Sequence, residues 1–313
     1  MQHFLLSFNV VFPLALLMAI GFLLRRVKVV GEESVKQFNQ VVFRVFLPTM
    51  IFKNVYESDL KAVFDPKLIL FAVCCAIGYI LLLFCVVPLL EKSNAKRGVL
   101  IQGIFRSNFV IFGLPIAEAL CGSSATGSAS VLVAIVIPIF NFAAVITLEI
   151  FNNKTPNAWK IIKGILTNPL IIASVLGLAI NFFGIRFPHA VETTLGSVAS
   201  ITTPFALILL GASIHFETVK NNRWQLIGGV VAKLILLPAV CLPLAALVFG
   251  FRGQDLAILL GLFSAPSAVS SFTMAQQMGG DDELAGQLVM FGTVASVLTM
   301  FCWILVVMRL GWV

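Results

Sequence analysis

Two hydrophobic segments of this chain are interrupted by proline at matching places, one in each half of the sequence. The first interruption runs from Arg106 to Pro115, and the second runs from Gly261 to Ser271. A helix that breaks inside a bilayer leaves backbone N–H and C=O groups without partners, which is tolerated only where protein or a water-filled cavity receives them. Such breaks in corresponding positions of two halves point to the substrate site of a transporter.

Composition places the chain in a membrane. Of its 313 residues, 59% are hydrophobic and 11% are charged, and the mean hydropathy is +1.04. A soluble domain of this length needs far more charge to cover its surface, and a β-barrel would alternate polar and apolar residues in short segments. The net charge of +7 lies between the apolar runs rather than on one face, so no nucleic-acid partner is expected. The sequence predicts an all-α polytopic membrane protein.

Cysteine and histidine give no sign of a metal centre. All six cysteines lie in apolar runs and no Cys-x-x-Cys motif occurs, so we expect small core residues rather than disulfides. The three histidines, His3, His189 and His215, lie at segment ends. We therefore expect neither a metal site nor a resident cofactor.

Ten apolar segments are long enough to cross a bilayer as helices, which takes about 20 residues. They are residues 4–24, 35–56, 67–90, 98–121, 127–150, 161–184, 193–214, 225–249, 256–278 and 284–308. Basic residues follow the first segment rather than precede it, which indicates a retained span and not a cleaved signal. With the N-terminus outside, twelve Lys and Arg residues lie on inner loops, six lie outside and three lie inside spans. This bias predicts that both termini lie on the outer side of the cytoplasmic membrane.

The two halves align with a nearly constant offset. The matching pairs are Pro13 with Pro169, Gly21 with Gly177 and Pro48 with Pro204, each 156 residues apart, then Pro88 with Pro243 at 155 and Pro115 with Pro266 at 151. Each half holds five predicted spans, an odd number, so the second half enters the membrane in the opposite sense. The sequence therefore predicts ten transmembrane helices in a 5+5 inverted repeat, with residues 1–150 and 161–308 as the two repeats.

Several short motifs, in order along the chain, carry a family resemblance. They are Phe46-Leu47-Pro48, Arg106-Ser107-Asn108 with Gly113-Leu114-Pro115, Thr167-Asn168-Pro169 opening a run to Leu178, Thr203-Pro204 opening a run to Ser213, and Lys233 to Pro238. As an ordered set covering nearly the whole chain, they resemble the bacterial branch of the auxin efflux carrier family, within the bile/arsenite/riboflavin transporter-like superfamily.

The resemblance implies a fold in which the broken helices 4 and 9 cross. Helices 1, 2, 6 and 7, about residues 4–56 and 161–214, would form a scaffold domain that also makes the contacts of a homodimer. Helices 3–5 and 8–10, about 67–150 and 225–308, would form a transport domain that moves like an elevator. The implied function is export or exchange of small organic anions, with the lipid bilayer as the other partner.

The two breaks supply most of the candidate substrate-binding residues. Unwound backbone and helix N-termini favour a carboxylate, although a proline kink that only shapes packing is the alternative. Serines at the second break suit a polar ligand or a cation, but such serines also bond to neighbouring helices. The candidates are Ser107, Asn108, Gly113, Pro115, Ala265, Pro266, Ser267, Ser270 and Ser271, together with Lys233.

Charged residues inside apolar runs are costly and suggest function. Lys233 lies about eight residues into its span, so we expect it to meet a substrate carboxylate or to replace a cation. Arg106 is a candidate for coupling or gating, with snorkelling to the inner surface as the alternative. Glu118 is a candidate proton-coupling site or a solvated residue. The remaining candidates for gating are Gln276 and Gln277.

Three functions stay open from the sequence. A secondary transporter of malate- or malonate-type carboxylates is favoured, because the resemblance to bacterial members of the family implies such substrates. Auxin itself is less expected, since the long central loop of plant members is missing and Ala265-Pro266-Ser267 replaces their asparagine-proline motif. The alternatives are an exporter of auxin-like aromatic carboxylates and a transport-fold sensor that does not translocate. An intramembrane enzyme is not expected, since no predicted span holds Asp or His at depth. Without an ATP-binding motif, we expect a gradient or a partner protein to drive transport, and coupling to H+ or Na+ is left open.

Overall fold

A computed structural model shows a bundle of helices and describes residues 2–57, 65–122, 124–152, 158–214 and 219–313. Within those residues the backbone forms no β-strand. The α-helices are α1 (Gln2–Arg26), α2 (Glu32–Val41), α3 (Leu47–Tyr56), α4 (Pro66–Leu90), α5 (Asn94–Phe105), α6 (Leu114–Cys121), α7 (Ser124–Asn152), α8 (Ala158–Thr167), α9 (Pro169–Phe182), α10 (His189–Ser213), α11 (Arg223–Val231), α12 (Leu237–Pro243), α13 (Gly253–Ser264), α14 (Ser270–Gln277) and α15 (Asp282–Arg309).

Five helical rods in the described residues are long and apolar enough to cross a membrane. They are Pro66–Leu90, Ser128–Asn152, His189–Ser213, Arg223–Val248 and Asp282–Arg309. Each coincides within a few residues with a span predicted from the sequence, so a helical protein with several membrane spans is confirmed. The arrangement of ten spans as a 5+5 repeat stays a prediction.

Three Leu-Pro pairs each follow a widened helical turn. The π turns Val42–Phe46, Phe109–Gly113 and Ala232–Leu236 precede Leu47-Pro48, Leu114-Pro115 and Leu237-Pro238. A proline has no N–H to donate, and its ring clashes with the carbonyl four residues earlier, so the preceding turn opens. The residues that join α2, its π turn and α3 keep right-handed helical dihedrals, and we call the continuous result the α2–α3 rod.

The sixth predicted span, residues 161–184, is not one helix. Asn168 has an extended backbone and separates α8 from α9. Its side chain accepts a hydrogen bond from the Leu170 N–H at 2.9 Å and caps α9. Pro169 fits the first turn of α9 because the N–H that it lacks would have no helical partner there. The prediction of an unbroken span was therefore wrong at this point.

Two close helix contacts repeat the 156-residue offset in three dimensions. α1 packs against α10 at Gly21, where an added Cβ would lie 1.9 Å from the Ile208 carbonyl oxygen. α3 packs against α9 at Gly177, where an added Cβ would lie 3.0 Å from the Phe52 carbonyl oxygen. Gly21 and Gly177 are 156 residues apart, and so are Phe52 and Ile208. The same backbone contact thus occurs twice, at equivalent positions of the two halves.

The cysteines are less buried than predicted. All six are free thiols, as expected, but Cys241 alone among them is fully buried. Cys74, Cys85 and Cys302 are exposed, and the other two are partly buried. On α4 the exposed thiols share the surface with Leu81 and Leu89, which are 60% and 84% exposed. An apolar surface of a membrane protein faces lipid, where a thiol behaves as a small apolar group.

Candidate functional site at the crossing of two broken helices

The two predicted breaks meet in the structure. α5 and α13 each end in a residue with extended backbone, and the segments beyond them run side by side. Ser107 and Ser267 form an antiparallel β-bridge there. Two N–H to carbonyl hydrogen bonds flank it, from Asn108 to Pro266 at 2.9 Å and from Ala268 to Arg106 at 3.4 Å. Backbone groups that the breaks release from the helices therefore bond to each other across the crossing.

The serine side chains of the bridge repeat the pairing. The Ser107 hydroxyl donates to the Leu262 carbonyl at 2.6 Å, so it caps the end of α13. The Ser267 hydroxyl donates to the Gly103 carbonyl and does the same for α5. Each break thus satisfies a carbonyl that the end of the opposite helix leaves without an N–H partner. The two hydroxyls hold the crossing together.

Two glycines allow the helices to cross this closely. An added Cβ at Gly261 would lie 2.6 Å from the Cα of Gly113, and one at Gly113 would lie 2.9 Å from the carbonyl carbon of Gly261. Real Cβ atoms do not approach backbone this closely, so neither position accepts a side chain without moving a helix. The crossing that the resemblance implies is present, with backbone packed on backbone.

A cavity of about 460 Å³ lies beside the crossing. The two breaks and α7 form one wall, and α3 and α10 form the other. Phe109 and Phe140 give the cavity an aromatic surface. The polar side chains that line it are Lys53, Asn54, Arg106, Ser107, Asn108, Asn141, Ser200, Thr203 and Ser270.

The Arg106 side chain brings a positive charge to this cavity. It is only 4% exposed, which does not fit snorkelling to the surface. Its Nη2 donates to the Asn141 Oδ1 at 2.6 Å, and its Nη1 contacts the Met274 sulfur. Arg106 takes part in none of the ion pairs of the described residues, which are Arg25–Glu32, Lys36–Glu32 and Lys53–Glu57. The cavity therefore contains a buried cation that forms no ion pair with any anion among the described residues.

Two amide groups add hydrogen-bond donors beside the guanidinium. The Nδ2 atoms of Asn108 and Asn141 are buried and make no hydrogen bond. Each unsatisfied buried donor costs about 1–3 kcal/mol. An ionised carboxylate accepts up to about four hydrogen bonds and donates none. Charge and unpaired donors together suit an anionic ligand.

The structure brings part of the predicted site to this cavity. Ser107, Asn108 and Ser270 line it, and so does Arg106, which the sequence suggested for coupling or gating. The other predicted residues of the two breaks do not line it. Pro115 is partly buried at the start of α6, and the fully buried ones are Gly113, Ala265, Pro266, Ser267 and Ser271.

The remaining candidates lie elsewhere. Lys233 lies in the π turn between α11 and α12, where it is 2% exposed and its Nζ has no hydrogen-bond partner. It is not among the residues that line the cavity. Glu118 is exposed on α6, and Gln277 is partly buried at the end of α14. Gln276 bonds to side chains outside the cavity.

Sequence reasoning missed five polar residues of the cavity, of which Ser200 and Thr203 belong to α10. Asn141 is a polar residue inside the apolar run of α7, a signal that was available in the sequence. Lys53 and Asn54 belong to α3, far from either break along the chain. They reach the site because α3 packs beside the crossing, and no local sequence pattern predicts that packing.

Comparison with known proteins adds a family match. A family model described as "Membrane transport protein" matches residues 6–304, nearly the whole chain. The chain belongs to the auxin efflux carrier family. Membership makes it a multi-pass membrane transport protein, a class that is not normally enzymatic.

The relatives of this auxin efflux carrier family member are named for different functions. An "uncharacterized transporter" of Methanothermobacter thermautotrophicus is 24% identical over 96% of this chain and 98% of its own length. A candidate malonate transporter of Rhizobium meliloti is 23% identical over 93% of this chain and 92% of its own length. The mouse lysosomal cholesterol signaling protein is 23% identical over 91% of this chain but only 36% of its own length.

Proposed function

We propose that this family member is a secondary transporter of small organic anions, of the malate or malonate type, across the cytoplasmic membrane. The observation that carries the proposal is the Arg106 guanidinium, which is buried at the cavity and outside every ion pair of the described residues. A buried cation without a counter-ion is costly, and a bound anion would remove that cost. The candidate malonate transporter among the relatives supports the same substrate class.

The other polar groups of the cavity suit a dicarboxylate. The free Nδ2 groups of Asn108 and Asn141 offer donors to the carboxylate that meets Arg106. Lys53, ion-paired with Glu57, adds a second cation to the lining. A volume of about 460 Å³ is within the range of small-molecule sites. We infer that one carboxylate binds at Arg106 and the other faces Lys53.

The proposed mechanism is elevator-like. The scaffold domain would comprise about residues 4–56 and 161–214, and the transport domain about 67–150 and 225–308. The cavity supports this division, because α3 and α10 line it from the scaffold side and the two breaks line it from the other. The repeated contacts at Gly21 and Gly177 support the 5+5 inverted repeat. Dimerisation through the scaffold, outer termini and coupling to H+ or Na+ belong to the same proposal.

Two alternatives each have one supporting observation. Phe109 and Phe140 on the cavity wall suit an auxin-like aromatic carboxylate, since aromatic rings pack well against each other. A relative named as a cholesterol signaling protein favours a sensor that binds a ligand without moving it. Both alternatives use the same cavity as the main proposal. The first differs in the shape of its ligand, and the second differs because the ligand is not moved across the membrane.

A thermal-shift screen tests the proposal. The purified protein is heated with aliphatic dicarboxylates, indole carboxylates or amines, with and without sodium and at two pH values. A ligand that binds the folded state raises the melting temperature, and the rise grows with the logarithm of the ligand concentration above its Kd. We expect aliphatic dicarboxylates to stabilise the protein and Arg106→Gln to remove that effect. Stabilisation by amines alone, or by no carboxylate at millimolar concentration, would overturn the proposal.

A further inference from the structure

Near both of its ends, the α2–α3 rod lies against the part of the molecule that contains the two breaks. Near one end, Lys53 and Asn54 line the cavity beside the crossing. Near the other end, Asn39 is completely buried against α14. Asn39 and Lys53 are separated by about 21 Å along the helix axis, from the rise of a helix. The rod therefore forms part of the cavity near one end and makes a different contact near the other.

That second contact is a chain of two hydrogen bonds. The Asn39 Nδ2 donates to the Gln276 Oε1 at 2.5 Å, and the Gln276 Nε2 donates to the Asp282 Oδ2 at 2.9 Å. An ionised carboxylate only accepts, so the Gln276 amide must turn its NH2 group to Asp282 and its oxygen to Asn39. The three side chains thus join the rod to α14 and to the start of α15 in one orientation.

The contact is at the opposite side of the cavity from Lys53. α14 begins at Ser270, which lines the cavity, and Gln276 lies six residues further along, about 9 Å by helical rise. A second, polar cavity of about 170 Å³ borders Gln276 and Asp282, and Ser213 also lines it. At the other side, the Lys53 side chain is 25% exposed. The larger cavity is therefore bounded by the hydrogen-bonded contact on one side and reaches solvent-accessible Lys53 on the other.

We propose that Asn39, Gln276 and Asp282 form a gate that holds the molecule in the state whose cavity opens near Lys53. The inference rests on the proposed transport function, since only a protein with alternating access needs such a gate. Its bonds cross from the proposed scaffold to the proposed transport domain, so any sliding of one past the other must break them. The Asn39 Oδ1 is buried without a donor, so the closed gate leaves one polar atom unpaired. Opening the gate therefore costs less free energy than it would if every polar atom were paired.

Cysteine accessibility tests the gate without a substrate. In a variant whose six native cysteines are replaced by alanine, Ser200→Cys reports on the large cavity and Ser213→Cys reports on the polar cavity beyond the gate. The purified protein reacts with a water-soluble maleimide that reaches both sides. We expect Gln276→Leu to raise the rate at Ser213→Cys about tenfold, the size of effect that lost buried hydrogen bonds produce.

Matched variants make the outcome decisive. Gln40→Leu removes an exposed amide next to Asn39 in the chain and should leave both rates within about twofold of the parent. Gln276→Glu puts a carboxylate against Asp282 and should open the gate even if Gln276→Leu fails to fold. Unchanged rates at Ser213→Cys in folded Gln276→Glu and Asn39→Leu would overturn the gate. Because no carboxylate is added, failure of the gate is distinguishable from failure of anion binding.

Discussion

Ser107 and Ser267 pair through their backbones at the point where two interrupted helices cross, and each hydroxyl caps the helix that leads into the other break. The breaks therefore stabilise each other rather than leaving a loose backbone site. The side-chain donors at the cavity are the Arg106 guanidinium, which has no ion-pair partner among the described residues, and the unpaired Nδ2 groups of Asn108 and Asn141. Recognition of an anion would depend on those side chains.

The close contact of Gly261 with Gly113 predicts a stability effect. Gly261→Ala places a Cβ 2.6 Å from backbone that cannot rotate away, so we expect unfolding to become easier by about 1–3 kcal/mol. Gly228→Ala is the control, because an added Cβ there meets no atom within 4 Å and alanine favours a helix. Melting temperatures of the two purified variants measure the difference. Equal stability would mean that the crossing is looser than the structure shows.

The hydrogen bond between Asn141 and Arg106 predicts a loss of function without a loss of fold. Asn141→Asp puts a carboxylate where the amide oxygen now lies, 2.6 Å from the guanidinium, and balances its charge internally. We expect malonate affinity to fall at least about tenfold, since the internal ion pair competes with the ligand. Isothermal calorimetry on the folded variant measures it. Affinity equal to the parent protein's would show that Arg106 does not contact the anion.

Lys233 predicts the opposite combination. Its ammonium is buried without a partner and does not line the cavity, so Lys233→Met should raise the melting temperature. We expect malonate affinity to stay within about twofold, because the structure separates Lys233 from the anion-binding donors. A large loss of affinity with an intact fold would show instead that Lys233 meets the substrate, as the sequence suggested.

Glu91 predicts a pH dependence of stability. Burial by itself would raise the pKa of Glu91, but backbone N–H groups of Ser93 and Lys92, the Gln225 amide and the charge of Lys96 lower it below its ordinary value of 4.5. A lowered pKa stabilises the fold above the unfolded-state value, and that contribution is lost as pH falls through the folded-state pKa. The melting-temperature advantage over Glu91→Gln should therefore shrink below about pH 4.5.

The pH series needs a second glutamate for comparison. Glu33 is exposed on α2, and Glu33→Gln is the comparison variant for the series. An advantage over Glu91→Gln that stays constant from pH 7 to pH 3.5 would contradict the assigned role of the Glu91 carboxylate.

Helices and their interruptions were the most predictable part of the molecule. Apolar runs of about 20 residues leave few alternatives in a bilayer, and prolines mark where a helix must open. The additional break at Asn168 was missed because the high hydropathy of residues 161–184 outweighed two local signals, an N-cap residue and the proline that follows it. The offset of 156 residues between Gly21 and Gly177 recurs in their helix contacts, a relationship in three dimensions that the sequence alignment alone did not give.

The cavity was less predictable than the crossing. Ser107 and Asn108, which the sequence suggests as substrate-binding residues, line the cavity because they lie in the break itself. Sequence reasoning assigned substrate binding to Lys233 and coupling or gating to Arg106. Both are single charges in apolar runs, and the sequence does not show which of them faces a cavity. That distinction depends on how α7 and α3 pack against the breaks, through contacts far apart in the chain.

Exchange of radiolabelled malonate by the protein in liposomes tests the central claim most directly. We expect saturable uptake into vesicles loaded with unlabelled malonate, and a loss of at least about 100-fold in Arg106→Gln, where the buried cation is gone. Arg44→Gln, which removes an exposed arginine from the α2–α3 rod, should exchange at the parent rate. Full exchange by Arg106→Gln, or no exchange of any carboxylate by the parent protein, would contradict the account.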